Sequence, residues 1–354
     1  MSSVELIVDG HEDLAMNALS YGRDYLTSAH AIRAGEAGSD AEAAMGVCML
    51  GLADWLRGRV GVVIATLQTV PRAEALPGEI TYETPDEAHR QALAQLDIYR
   101  EWSEVSEHVQ LIRDAAHLES VAGSWQGERD RRVGFVLLME NADPIRTLDD
   151  VSFWADAGVL IVGPAWHANR FTGDTRAGGP LTALGRELLA EMGRLGLVLD
   201  LTHMSDEACT EALELYPGPI VASHAHSRRT VATPRLLSDH VIASIAERDG
   251  IVGVLPLNWA LAEGWRSADG KNVRIDAVAD AVTTLGEIVG DLCHVGIGSD
   301  FDGGQGAEST PAELETVADL AKLGPALAAA GHSPSEVRNV LGENWLRFLR
   351  RALH

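Results

Sequence analysis

Along the chain, short runs of consecutive apolar residues take turns with longer stretches in which apolar residues recur every three or four positions. The runs are Val4–Val8, Gly61–Thr66, Val133–Leu138, Val159–Val162, Leu197–Leu201, Pro219–Ala222, Ile251–Leu255 and Val295–Gly298. They are short and apolar rather than alternating, which is the pattern of parallel strands buried on both faces. Between them lie the amphipathic stretches Asp86–Trp102, Thr182–Leu195, Ser205–Leu215, Arg235–Glu247 and Ile275–Val289, whose period predicts helices. Eight strands in alternation with helices predict an α/β fold, a (β/α)8 barrel of the TIM type. An open doubly wound sheet is the competing arrangement, but no GxGxxG or P-loop pattern follows the first run. The stretch Glu83–Arg131 is longer and more helical than one crossover needs. It predicts a helical insertion at 83–131 that shapes the mouth of a site, makes an oligomer contact, or is plain structure. No linker rich in Pro, Gly or Ser divides the chain, so 1–354 is expected to be one barrel domain.

Composition narrows the partners. A formal net charge of −24 argues against nucleic acid, whose phosphates need clustered cations. Three scattered cysteines (Cys48, Cys209, Cys293) with no CxxC spacing argue against a disulfide framework and a thiolate metal site, and for a reducing compartment. No apolar run reaches transmembrane length, and Met1–Glu5 lacks signal-peptide character, so no membrane contact and a cytoplasmic location are expected.

Barrel enzymes carry their reactive groups at the C-terminal ends of the strands, so those positions hold the candidate chemistry. The first run leads into Asp9-Gly-His11-Glu12-Asp13, and the third into Glu140. The fifth leads into Leu-Asp-Leu-Thr-His203, the sixth into Val-Ala-Ser-His224, and the eighth into Gly-Ile-Gly-Ser-Asp300. One histidine after a strand is more often a satisfied structural residue than a ligand. Three histidines and three carboxylates at one barrel mouth are harder to explain that way. On extended chain His11 and Asp13 point the same way and can grip one ion, while Glu12 points to the wall. A pair of ions needs a bridging anion. Lys271 and Lys322, the two lysines of the chain, stand at no strand end, which sets aside a carbamylated-lysine bridge. Glu140 is the replacement, one oxygen to each ion, with His203 and His224 completing the second. Imidazole and carboxylate without thiolate suit Zn2+, two per chain bridged by Glu140 and a water or hydroxide; manganese and cobalt also fit such ligands.

These motifs resemble those of the membrane (renal) dipeptidase family. Asp9-Gly-His-Glu-Asp-Leu is similar to its opening DGHNDLP, and Glu140, His203, His224 and Ser-Asp300-Phe-Asp-Gly follow in family order. Thr233-Pro-Arg235-Leu-Leu-Ser-Asp is similar to HPRNLTDE, and Gly342-Glu-Asn-Trp-Leu-Arg-Phe-Leu to the closing GxNxLRVF helix. The resemblance spans most of the chain and is weakest over 21–131. It implies a metallodipeptidase of the amidohydrolase type acting on L-Xaa-L-Xaa or L-Xaa-D-Xaa dipeptides through metal-activated water, and a homodimer. It also implies that Asp300 is the acid/base and that Arg235 receives the substrate carboxylate. Two departures stand out. Renal-type members carry a histidine after strand four; here the stretch reads Val162-Gly-Pro-Ala-Trp166-His167-Ala-Asn169-Arg170-Phe. His167, Asn169 and Arg170 are therefore its candidate substrate contacts, Arg170 toward an acidic side chain. The other departure is Glu140-Asn-Ala where the family has E-G-G. The competing functions are an N-acyl amino acid or cyclic amide hydrolase, a metal-dependent decarboxylase or isomerase, and a non-catalytic binding protein.

Overall fold

Eight parallel strands form a ring in the computed structural model, which describes residues 6–127 and 129–353. They are β1 (Ile7–Glu12), β2 (Val60–Gln68), β3 (Val133–Glu140), β4 (Val159–Gly163), β5 (Val198–Asp200), β6 (Ile220–Val221), β7 (Val252–Val254) and β8 (Val295–Ile297). Each pairs with the next in chain order, β8 returns to β1, and one bridge between Ala222 and Val252 joins β6 to β7. Every expected strand is present, and the (β/α)8 barrel with it. The first begins later than its apolar run suggests and extends to Glu12, so His11 is still strand; Val4 and Glu5 lie outside the described residues.

The period of two assigns the faces. Phe135, Leu137 and Met139 of β3 join the core cluster that holds Tyr99 and Trp102 of the flanking helix Pro85–Val105. Val136 and Leu138 instead join Val8, Val62, Ile64, Ile161 and Val198, the interior face of the strands. Glu140 shares the parity of Val136 and Leu138, so β3 delivers it into the barrel mouth. In β1, Val8 and His11 would lie on opposite faces of a regular strand. A register shift against β2 between Asp9 and Glu12 supplies the extra residue, so that both face inward. Glu12 then turns outward, where Trp55 donates its indole N–H to the buried carboxylate at 2.9 Å. Gly10 lies in this shift, and a Cβ there would stand 2.6 Å from Trp345 of the C-terminal helix Asn344–Ala352.

Helices begin where capping residues stop the chain. Ser205 and Ser238 accept from the N3 amides of Asp206–Leu215 and Asp239–Glu247, and Thr84 forms a capping box with Glu87. The Ser238 cap means that the helix expected from Arg235 starts four residues later, leaving Arg235 in a turn. The 83–131 stretch holds the long helix, a short strand Val109–Leu111 that pairs in parallel with the start of β3, and a helix Ala115–Ser124; Glu128 is outside the described residues. Gln95 of the long helix braces Gln68, exchanging bonds with its backbone N–H and C=O. Among the described residues, no helix is long and apolar enough to cross a membrane.

Candidate metal centre

The C-terminal ends of β1, β3, β5, β6 and β8 bring His11, Asp13, Glu140, His203, His224 and Asp300 together, as the sequence predicts. Glu140 stands at the middle. Its Oε2 lies 3.6 Å from His11 Nε2, which is 3.9 Å from Asp13 Oδ2. Its Oε1 lies 3.1 Å from His203 Nε2 and 3.5 Å from His224 Nε2. Two ligand groups thus share one carboxylate: His11, Asp13 and Glu140 on one side, Glu140, His203 and His224 on the other. Asp300 Oδ1 is 4.0 Å from His11 Nε2, and its backbone N–H donates to His11 C=O at 3.0 Å. Asp13 is held by the Thr66 hydroxyl, which donates to Oδ1 at 2.5 Å.

A cation fits this donor set. His11 Nε2 and Glu140 Oε2 are buried with no hydrogen-bond partner, an arrangement that ordinarily carries a penalty. Burial pushes Glu140 and Asp300 up to about 8 and Asp13 up to about 7, the last raised further by the neighbouring Glu140 charge. Burial also holds His203 and His224 well below the usual histidine range, which leaves them neutral, as ligands must be. Crowded carboxylates and neutral imidazoles are both stabilised by a dication.

The centre opens into a cavity of ≈ 290 Å³. That is at the lower edge of the roughly 300–1,000 Å³ usual for ligand pockets, a size for a small substrate. Arg235 forms part of its wall: Nη1 donates to His224 C=O and Nη2 to His203 Nε2, each at 3.2 Å, with the guanidinium 6.0 Å from the Trp259 ring. Arg228, Arg229 and His226 are structural, bonded to Asp206, Asp239 and the Ala260 carbonyl.

Three expected substrate contacts, His167, Asn169 and Arg170, are not among the residues that line this cavity. His167 Nε2 turns to the Tyr82 hydroxyl at 3.0 Å, in a polar cluster with Asn141 and Asp143. Asn169 donates to Asn141 and to the Pro164 carbonyl, and accepts from the Phe171 amide, tying its own loop. Arg170 is spent on the Ile145 and Arg146 carbonyls and on Asp143, over the Phe171 ring. Trp166 and Arg176 line the cavity instead. Arg176 lies over the Trp166 ring and is paired with Glu74 at 2.8 Å, a residue of the loop that follows β2. No spacing marks Arg176 in the sequence; only the folded loop shows where it points.

The sequence profile of the family described as membrane dipeptidase (peptidase family M19) matches residues 2–353. An uncharacterised protein encoded in the region 5′ of pqqA in Klebsiella pneumoniae is 33% identical over 57% of this chain and 75% of its own length. An uncharacterised dipeptidase of Schizosaccharomyces pombe is 31% identical over 54% of this chain, which spans under half (46%) of that relative. Among solved structures, a metallopeptidase of Rhodobacter sphaeroides bound to a phosphinate mimic of the dipeptide L-Ala-D-Ala superposes with a TM-score of 0.79. That likeness is 25% identical and covers 98% of this chain and 99% of the other. With the barrel and a profile match over nearly the whole length, the chain belongs to the membrane dipeptidase family (peptidase family M19) and is a peptidase hydrolase.

Proposed function

We propose that the chain is a dinuclear zinc dipeptidase that hydrolyses L-Xaa-L-Xaa or L-Xaa-D-Xaa dipeptides. The observation that carries this reading is the placement of Glu140, whose two oxygens face two separate histidine-containing groups. His11 and Asp13 would hold one ion, His203 and His224 the other, and Glu140 would bridge them. Bound zinc would supply Lewis acidity and an activated water. The chain's own residues account for the rest. Asp300, beside His11 at the end of β8, would take the proton of the attacking water and return it to the leaving amine. Arg235 would bind the substrate carboxylate through paired N–H groups, which limits the substrate to two residues. His203 Nε2 has one lone pair, now used by Arg235 Nη2; when His203 ligates, that N–H is free for the carboxylate. Trp166 and Trp259 give the cavity apolar walls. The L-Ala-D-Ala mimic bound to the Rhodobacter sphaeroides relative supports a D residue at the C-terminal position. Three free cysteines, two of them buried, support a reducing, cytoplasmic setting.

The test is amine release from a panel of L-L and L-D dipeptides by the zinc-loaded protein, with a chelated control. Chelator-sensitive turnover supports the reading. A panel without turnover refutes it and moves the substrate to another class of amide.

A further inference from the structure

Behind the centre, one hydroxyl stands between two of the ligand histidines. Ser223 Oγ lies 2.8 Å from His224 Nδ1, 3.3 Å from His11 Nδ1 and 2.5 Å from Asp200 Oδ2. Ser223 is fully buried and Asp200 nearly so. Asp200 is fixed as an acceptor, since its Oδ1 also receives the Thr202 amide at 3.0 Å, the Thr202 hydroxyl at 2.8 Å and the Ser223 amide at 2.9 Å.

A serine hydroxyl has one proton and two lone pairs. Asp200 takes the proton, so both lone pairs are left for the two Nδ1–H groups and the capacity of the hydroxyl is filled. Both imidazoles are thereby locked as Nδ1–H tautomers, with the Nε2 lone pair turned toward the centre. If the serine proton pointed at either ring instead, that ring would carry its hydrogen on Nε2 and lose the lone pair a metal needs. His11 lies in the group with Asp13 and Glu140 and His224 in the group with Glu140 and His203, while the two histidines also share a third group with Asp300. The single hydroxyl therefore serves both halves of the centre.

We infer that Ser223, backed by Asp200, is a positioning residue that holds one histidine of each metal site in its ligating tautomer, so that the two sites gain or lose affinity together. The inference rests on the dinuclear reading above. Asp200→Asn is nearly isosteric, yet its amide N–H₂ faces Ser223 Oγ as a donor and turns the serine proton toward a histidine. Ser223→Ala keeps the Asp200 charge and removes the shared acceptor.

The experiment is metal titration of stripped wild-type, Ser223→Ala and Asp200→Asn proteins with Co2+ and Zn2+. Affinity is read by chelator competition and coordination by the Co2+ absorption spectrum, while the melting temperature of the stripped proteins reports folding. Each variant is expected to lower the affinity of both binding steps by about 10–100-fold with the stripped fold intact. Ser223→Thr, which returns a hydroxyl, is expected to recover part of it. Weakening of one step alone, or wild-type affinity in Asp200→Asn, overturns the inference. Nitrogen chemical shifts of the imidazoles in the zinc-loaded wild type give a second test that needs no variant: both His11 and His224 must be Nδ1–H, and an Nε2–H form of either overturns it. A wild-type protein that takes up no metal fails the dinuclear reading itself, and the two failures are told apart by that control.

Discussion

Arg235→Ala tests the proposal that this arginine binds the substrate carboxylate and so limits the substrate to two residues. In the structure the guanidinium lies at the cavity wall, with Nη2 against His203 Nε2 and Nη1 against the His224 carbonyl. A carboxylate paired with it gains two charge-assisted bonds, each worth about 1.5–3 kcal/mol. Water entering the truncated site recovers part of that sum, so a net loss of roughly 3–4 kcal/mol is expected, about 10²–10³-fold in kcat/KM. Because the carboxylate keeps its charge from ground state to transition state, the loss should fall mainly on KM. Arg235→Lys keeps a point charge without the fork and should recover only part of it. The assay pairs each dipeptide with its C-terminal amide. Wild type should lose about the same factor on amidation as on losing the arginine, and the variant should be indifferent to amidation. Metal content of the variant must be measured alongside, since Arg235 also touches a ligand histidine. If Arg235→Ala weakens dipeptide and amide equally, with full metal content, the arginine does not read the carboxylate.

Asp300→Asn should retain both ions and lower kcat by about 10²–10⁴-fold; full turnover would remove Asp300 from the chemistry. Chelation should lower the melting temperature, because metal at 100 times its Kd stabilises the fold by about 2.7 kcal/mol; calorimetry showing no shift would mean that the ions are not bound by the folded state. Arg170→Ala strips donors from the Ile145 and Arg146 carbonyls and should cost about 1–2 kcal/mol in urea unfolding while leaving kcat/KM alike for acidic and neutral dipeptides. A selective loss on acidic substrates would put Arg170 back at the site. Gly10→Ala places a Cβ 2.6 Å from Trp345 and 2.8 Å from the Ile297 carbonyl, and should destabilise by about 1–3 kcal/mol; an unchanged urea midpoint would mean that the packing of Trp345 against β1 yields freely.

The barrel was legible because its strands are buried on both faces, which writes each of them as an unbroken apolar run such as Val133–Leu138. The candidate ligands were legible because each stands within a few residues of the end of such a run, where a barrel gathers whatever the strands carry. The loop after β4 follows no such rule. It leaves the strand at Gly163, and Asn169 caps its own turn by accepting from Phe171 and Thr172. That turn rolls His167 toward Tyr82 and carries Arg170 to the carbonyls of the 141–146 loop. It leaves His167 facing Tyr82, while Trp166 and Arg176 line the cavity. Residue type alone held no signal for that exchange.

The same contrast exists within the metal centre. His11 and Asp13 come together as the period of two predicts, although the register shift of β1, between Asp9 and Glu12, takes in His11 itself. Elsewhere at the mouth the period is broken on purpose of position: Asn141, His203, Asp300 and Asp302 all have positive φ, at 80°, 70°, 56° and 62°. Such a backbone costs a residue with a side chain about 1–3 kcal/mol, least for Asn, Asp and His, which are the residue types found. A left-handed residue ends the alternation of an extended chain and re-aims the next group. At Asn141 it sends the chain away immediately after Glu140, and at His203 and Asp300 it turns a side chain of the candidate centre itself. The strain is held by bonds that the fold supplies: the Asn141 side chain donates to the Thr69 carbonyl, the Asp300 amide to His11, and Asp302 is locked by Tyr25, Met49 and Arg23. Strand ends therefore decide which residues reach the mouth, and the strained residues decide where they point. The first is a matter of composition along the chain, whereas the second depends on contacts between segments as far apart as Arg23 and Asp302.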